Sequence, residues 1–309
     1  MKFLCLGDCH FMYRSPRGRT DNIFETQLDK LDQVLEIGNV KGSILLQVGD
    51  LFHRPRTPDI VKSGILKLLC EYGVQILTVL GQHDTYHHSL QSFERTPTNV
   101  LVKAGFAELL VPDKPIIVGE EEGNVVEIYG ASYGQEPVKP GNSSNTKILV
   151  AHVSVGDKQL FPGHELMPPN AYARKYPWFD FILLGDYHYP FYSEYKDTII
   201  VNVGAMTRLT TKKQDQELKP QVGIYDSCDR TWSVIPLQVK EAADVFYAGS
   251  TRDADVKHAP ALEEFLQRLQ QSGEIGVSFT DNLEEVMKQE NTSDAVRSIV
   301  SDVLEKVGD

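Results

Sequence analysis

The stretch SILLQVGDLFHRP, residues 43–55, decides the fold. Ile44, Leu45, Leu46 and Val48 sit close together without the strict polar alternation of a strand that has one wet face. A run of this kind belongs to a strand covered on both sides, as in parallel sheets packed between other layers. The run breaks at Gly49, and Asp50 and His53 follow at once.

The same design recurs along the chain. FLCLGD (3–8), VQILTVLGQHD (74–84), KILVAH (147–152), FDFILLGDYH (179–188) and DTIIVNVG (197–204) are apolar runs ending in Gly or in a ligand-type residue. Helical spacing appears between them. TDNIFETQLDKLDQVLEIG (20–38) places Ile23, Leu28, Leu31, Val34 and Leu35 near helical intervals, with Thr20 or Asp21 as the expected cap. DIVKSGILKLLCEYG (59–73) ends on Gly73, a residue suited to a left-handed C-terminal cap. Strands alternating with helices predict a layered α/β fold. Residues 125–133 read as a strand and 222–237 as a hairpin, adding antiparallel members.

From about 241 the character changes. Residues 259–273 and 293–308 carry helical apolar stripes, and EIGVSFT between them reads as one strand. The expected division is therefore 1–240 and 241–309, the second a small, mostly helical C-terminal α/β appendage. Of the net charge of −12, seven negative charges fall within residues 251–309, where 13 carboxylates face 6 basic side chains.

Composition is that of an ordinary globular chain, 41% hydrophobic and 24% charged over 309 residues. No apolar stretch is long enough to span a bilayer, so no membrane association is expected. MKFLCLGDCHF reads as a first strand and not as a secretion signal. Cys5, Cys9, Cys70 and Cys228 show no metal-finger spacing. Reduced thiols and a cytoplasmic location are the expectation.

The chemistry is concentrated at the ends of the apolar runs: Asp8 and His10, Asp50 and His53, Gln82, His83 and Asp84, His152, then Asp186 and His188. One aspartate after a strand is ordinarily a helix cap, and one histidine is ordinarily a packed side chain. Five run ends of the same kind are not independent events, because the carboxyl ends of neighbouring strands converge. Mixed carboxylate and imidazole donors suit a pair of ions such as Mn, Fe or Zn, and a shared carboxylate lets two ions lie close enough to act on one phosphoryl group.

GDCH (7–10), GDLFHRP (49–55), GQHD (81–84), the histidine of VAHVS (152) and GDYH (185–188) resemble, in this order, the five blocks of the calcineurin-like metallophosphoesterase superfamily. The resemblance covers about residues 1–240. GDLFHRP and NVGAMTRLT (202–210) are similar to the SbcD-type nuclease subunits of DNA double-strand-break repair complexes. The resemblance implies two central mixed β-sheets flanked by helices. It implies that Asp8, His10 and His188 hold a first divalent ion, that Asp50 bridges, and that Gln82, His152 and Asp186 hold a second. Mn2+ is the implied metal, with Mg2+ and Fe2+ as neighbouring choices. His83 would donate a proton to the leaving oxygen, Asp84 would orient His83 through its other ring nitrogen, and His53 would touch the substrate phosphate. A hydroxide made available by the metals would attack in line, without a phospho-enzyme.

Two positions depart from the family's pattern. Gln82 stands where the family has Asn, and Asp186 where it has His. Both fall on the second ion, and the added carboxylate favours a hard cation.

Arg14, Arg17 and Arg19 in RSPRGRT, together with Arg208, are candidate substrate-binding residues. DNA is then the implied substrate and an SMC-like coiled-coil ATPase the implied partner, contacted through helix 293–307. Homodimers also occur in the resembling family. In this short, acidic C-terminal region the family's DNA-binding cap is expected to be reduced or absent, with partner binding as a further role. A reduced cap favours an alternative, a stand-alone phosphoesterase acting on a small phosphodiester, a phosphomonoester or a phosphoprotein. A non-catalytic metal-holding scaffold is a third reading. His87 and His88 read as surface residues or groove lining. His164 reads as part of an access loop, and YHYPFYSEY (187–195) as packing or a base-stacking surface.

Overall fold

The computed structural model describes residues 1–119, 125–159 and 166–247. Two six-stranded mixed sheets organise them. In the first, β1 (Lys2–Leu6), β2 (Ile44–Gln47), β3 (Ile76–Thr78) and β4 (Ala107–Leu109) run parallel in that order. The hairpin β11 (Gln221–Asp226) and β12 (Thr231–Pro236) adds to the free edge of β1 in antiparallel fashion. The second sheet has β6 (Val126–Ala131), β7 (Thr146–His152), β8 (Phe181–Gly185) and β10 (Thr198–Asn202) parallel to one another. Its two edges, β5 (Ile116–Val118) and β9 (Phe191–Tyr195), are antiparallel.

Strand alternation explains the layering. Phe3 and Cys5 of β1 point one way, with Leu46, Val48, Leu77 and Val79, into a core shared with Ile128, Ile148, Val150, Phe181, Leu183 and Val201 of the second sheet. Leu4 and Leu6 point the other way, against Leu31, Val34 and Leu35 of α1 (Ile23–Lys41), Val61, Ile65 and Leu69 of α2 (Asp59–Tyr72), and Leu101 of α3 (Pro97–Lys103). Leu149, Ala151, Ile182 and Leu184 cover the outer face of the second sheet with Tyr172 and Ala173 of α4 (Pro169–Lys175). Both faces of the central strands are thus apolar, the condition that the run at 43–55 announced.

Local details differ from the sequence reading in places. The N-cap of α1 is Asn22, whose side-chain oxygen accepts from the amides of Phe24 and Glu25. Thr20 and Asp21 are engaged elsewhere: the Thr20 hydroxyl donates to the Asp244 carbonyl, and Asp21 pairs with Arg19 and Thr26. The helix also continues past Gly38 to Lys41 and closes on Gly42 at φ 60°. After the short helices α5 (Lys213–Glu217) and α6 (Ala242–Val245), the amide of Thr20 donates to Val245 and that of Tyr247 to Gly18. The chain therefore stays with the first part beyond residue 240. His164, the strand expected at EIGVSFT and the helices expected at 259–273 and 293–308 lie outside the described residues.

Phe181 stacks on Tyr225 between the sheets, with centroids 4.0 Å apart and an interplanar angle of 11°. Phe181→Ala is expected to cost about 3–5 kcal/mol of unfolding free energy, measured by urea denaturation. A loss below about 1 kcal/mol would mean that this intersheet core is not close-packed.

Candidate metal centre

Five loops at the carboxyl ends of parallel strands meet at one place. β1 leads to Asp8 and His10, β2 to Asp50 and His53, and β3 to a 3-10 turn, Gln82–Asp84. His152 is the last residue of β7, paired in register with Gly185 of β8, and Asp186 and His188 follow. The cluster therefore draws on both sheets. The loops after β1 and β2 are laced by backbone bonds. The amides of Cys9 and His10 donate to the Asp50 carbonyl, that of Phe11 to Leu51, and that of His53 to Phe11.

The backbone carries strain here. His10, Asp50 and Asp186 have φ of 48°, 49° and 70°, the left-handed region that non-glycine residues seldom occupy. Two glycines permit the close approach. Gly49 has φ 94°, and a Cβ there would lie 2.7 Å from His152 Nδ1. At Gly81 a Cβ would lie 2.0 Å from Asp50 Oδ1.

The donor atoms form a connected set. Asp50 Oδ1 accepts from the His83 amide at 2.8 Å. Its Oδ2 has no hydrogen-bond partner and lies 3.6 Å from both His10 Nε2 and His152 Nε2. Asp8 repeats the arrangement: Oδ1 accepts from the Asp186 amide at 3.0 Å, and the buried Oδ2 has no hydrogen-bond partner. His10 Nε2 and His188 Nε2 face each other at 3.1 Å. The ligand atoms of Asp8, His10 and His188 lie within 4.8 Å of one another, and so do those of Asp8, Asp50 and His152.

Gln82 sharpens the case for a cation. His152 Nδ1 donates to the Val48 carbonyl at 2.7 Å, so the Nε2 of a neutral His152 keeps a lone pair. That lone pair faces Gln82 Oε1 at 2.7 Å, while Gln82 Nε2 donates to Asp186 Oδ1 at 2.6 Å. Turning the amide over satisfies His152 but sets oxygen against oxygen at Asp186. Either orientation needs a proton or a cation to separate two lone pairs. With two orphaned carboxylate oxygens beside it, the donor set fits divalent ions.

Burial without counter-charge sets the acidities. It pushes Asp8 up to about 6, against the pull of His152 and the Asp186 amide. Asp50 is held well above the carboxylate range by burial and then by Asp84 and Asp8. Burial lowers the imidazoles: His10 strongly, His188 and His83 less, and His53 to about 4 with help from His83 and Arg54.

The structure brings together Asp8, His10, Asp50, His53, Gln82, His83, His152, Asp186 and His188, and corrects other expectations. Asp84 does not touch the His83 ring. Its carboxylate accepts from the amides of Leu51, Phe52 and Gly81, tying the loop after β2 to the one after β3. The partner of His83 Nδ1 is the His53 carbonyl, at 3.0 Å. Arg19 and Arg208 are buried and committed internally. Arg19 pairs with Asp21 and bonds the Arg208 carbonyl, Arg208 bonds the Lys240 carbonyl, and both flank the Phe246 ring. Arg14 and Arg17 are exposed. His87 and His88 are exposed, and of the aromatic run Tyr187 is buried while Tyr192 is half exposed on edge strand β9.

Sequence reasoning missed the clamp at 202–206. Asn202 Nδ2 donates to the Tyr187 carbonyl, while the amides of Ala205 and Met206 donate to the carbonyls of His188 and Asp8. The sequence marked residues 202–210 through the resemblance and through the polar Asn202 at the end of an apolar run, but not as a clamp.

A family model of the calcineurin-like phosphoesterases matches residues 1–197. The chain belongs to this family. The DNA double-strand break repair protein Mre11 of Haloferax volcanii is 27% identical over 232 residues, which are 68% of this chain and 46% of that relative. The match thus spans less than half the relative's length. Among solved structures, an archaeal phosphodiesterase is 15% identical, covering 77% of this chain and 100% of that one, with a TM-score of 0.40. A 5′-nucleotidase precursor from Thermus thermophilus is 9% identical, covering 88% of this chain and 59% of that one, with a TM-score of 0.46. Within the phosphoesterase family the activity is that of a hydrolase. Among the described residues no helix is long and apolar enough to cross a membrane.

Two outcomes follow from the geometry. A carboxyl with a raised pKa holds a proton that must leave before a cation binds, whereas the lowered imidazoles are already neutral at pH 7. Mn2+ affinity is therefore expected to fall as pH drops from 7.5 toward 5, passing through the range where Asp8 takes up its proton. Calorimetric titration at several pH values checks this, and a flat affinity would contradict it. Asp84→Ala leaves buried amides without acceptors and is expected to cost about 1–3 kcal/mol per orphaned group. Thermal denaturation of the metal-free protein should register the loss before any catalytic effect is considered.

Proposed function

We propose that the chain is a Mn2+-dependent nuclease of the SbcD type, hydrolysing phosphodiester bonds of DNA. The observation that carries the reading is a groove of about 540 Å3 that opens at His53. Arg14, Arg54, Arg56 and Tyr13 line it, and among the described residues no acidic side chain does. In a chain of net charge −12, three guanidiniums beside the histidine cluster suit a substrate with several phosphates. The repair role in the name of the Haloferax relative points the same way.

Bound divalent ions supply an acidified water and counter-charge for the phosphoryl oxygens. The chain's own residues do the rest. Asp8, His10, His188 and Asp50 would hold one ion, and Asp50, Gln82, His152 and Asp186 the other. The His53 and His83 rings stack, with centroids 5.4 Å apart. Because His83 Nδ1 donates to the His53 carbonyl, Nε2 is the atom left to exchange a proton with the leaving oxygen. An incoming phosphate's negative charge offsets the burial that keeps this ring neutral, letting it take the proton that it then gives. Arg14, Arg54 and Arg56 steer the strand, and Arg17 adds charge to the same loop. The partner we propose is an SMC-like coiled-coil ATPase, contacted through the apolar stripe Val296, Ile299, Val300, Val303 and Leu304. A homodimer and a cytoplasmic location complete the proposal.

The test is incubation of the purified chain with Mn2+, with and without chelator, on linear and hairpin DNA and on a small chromogenic phosphodiester. DNA degradation abolished by chelator and by Asp50→Ala is expected, with Arg54→Glu raising KM for DNA at least tenfold. Turnover of the small ester alone, by the chain with or without a coiled-coil ATPase, would replace this reading with the stand-alone phosphoesterase.

A further inference from the structure

We propose that Tyr133 and His88 form a nucleobase platform at the rim of the centre. The inference rests on the phosphodiester reading above. Neither residue belongs to the set assigned to metal or proton transfer.

Tyr133 reaches the cluster through a different histidine from the one at which the arginine groove opens. The groove begins at His53, which packs against His10 and His83. Tyr133 instead sets its ring against His152, with centroids 6.4 Å apart at 66°. Tyr133 and His88 are 5.9 Å apart and tilted by 53°. Two rings at that angle make a corner. A flat base can stack on one wall while its edge meets the other, and stacking of this kind tolerates any base.

Both walls are held in place although both are exposed. Tyr133 is 40% exposed, a large aromatic ring not committed to the core. Its amide donates to the Leu80 carbonyl at 2.8 Å, and the flanking Ser132 Oγ accepts from the Leu80 amide. The tyrosine is thereby tied to the end of β3, from which the Gln82–Asp84 turn departs. His88 Nδ1 lies 3.2 Å from the Gln82 carbonyl. His87 and His88 are consecutive non-glycine residues with φ of 52° and 55°. Non-glycine residues hold this region where their surroundings over-determine it, and the turn sets the His88 ring beside Tyr133.

The arrangement divides the substrate. The scissile phosphate sits at Asp50, the following backbone lies along Arg14, Arg54 and Arg56, and one base rests on Tyr133. A phosphodiester that carries a base is then preferred over one that does not.

Two measurements on the full chain test this. In the first, thymidine 5′-monophosphate is added to the Mg2+-loaded full chain with labelled tyrosine and histidine rings, and NMR follows the ring protons. Upfield shifts at Tyr133 and His88 are expected, and deoxyribose 5-phosphate should not produce them. Unmoved rings, or equal shifts with the base-free sugar phosphate, overturn the platform. In the second, kcat/KM is compared for the p-nitrophenyl ester of thymidine 5′-phosphate and for methyl p-nitrophenyl phosphate. Tyr133→Ala is expected to lower the ratio of the two about tenfold, and Tyr133→Phe to restore it. An unchanged ratio in Tyr133→Ala also overturns the platform. If wild-type protein cleaves no phosphodiester while the ring shifts persist, the nuclease reading fails and the platform stands.

Discussion

Asp50 is the joint of this molecule. One carboxylate oxygen is tied to the His83 amide, and the other lies between His10 and His152 without a hydrogen-bond partner. His10 belongs to the first sheet and His152 to the second. The pairing of the two sheets, the closeness of Gly81 and the left-handed turn at Asp50 itself all serve to place that one oxygen. Burial makes its negative charge costly, and the surrounding carboxylates make it costlier. The centre is therefore poised for a cation that removes both penalties together.

The two halves of the centre differ in kind. Asp8, His10 and His188 present one carboxylate and two imidazoles, whereas Gln82, His152 and Asp186 present an amide, one imidazole and a carboxylate. The Gln82–Asp186 hydrogen bond makes the second set a linked unit, in which the longer amide reaches across to the carboxylate. An oxygen-rich half suits a harder ion than a nitrogen-rich one. Gln82 and Asp186 are thus physically related, because the amide of one donates to the carboxylate of the other.

Around this centre the fold spends buried polar groups on position. Asp84 ties the loops after β2 and β3 together, the 202–206 segment holds the carbonyls of Asp8 and His188, and Gln47 bonds the carbonyl of Gly49. None of these groups needs to meet a substrate. Each stops a loop from relaxing out of a strained conformation, which is what a site with small tolerance in distance demands.

The sequence by itself determined the layers and the set of strand-end residues that meet at one place. Runs such as Ile44–Val48 carry no polar face, so their strands had to be covered on both sides, and a strand that ends at such a run opens onto a shared edge. Asp8, His10, Asp50, Gln82, His152, Asp186 and His188 were legible because each follows or closes one of these runs. Contacts between distant loops were not legible. Asp84 adjoins His83 in sequence, yet the turn aims its carboxylate at the amides of residues 51 and 52. Arg19 and Arg208 read as cations near the site, yet both are buried around Phe246. The corner of Tyr133 and His88 joins residues 45 positions apart through the end of β3. Spacing along a chain reports which face of an element a residue occupies. The direction of a side chain on an irregular loop depends on which buried donors and acceptors need it, and only the tertiary structure decides that.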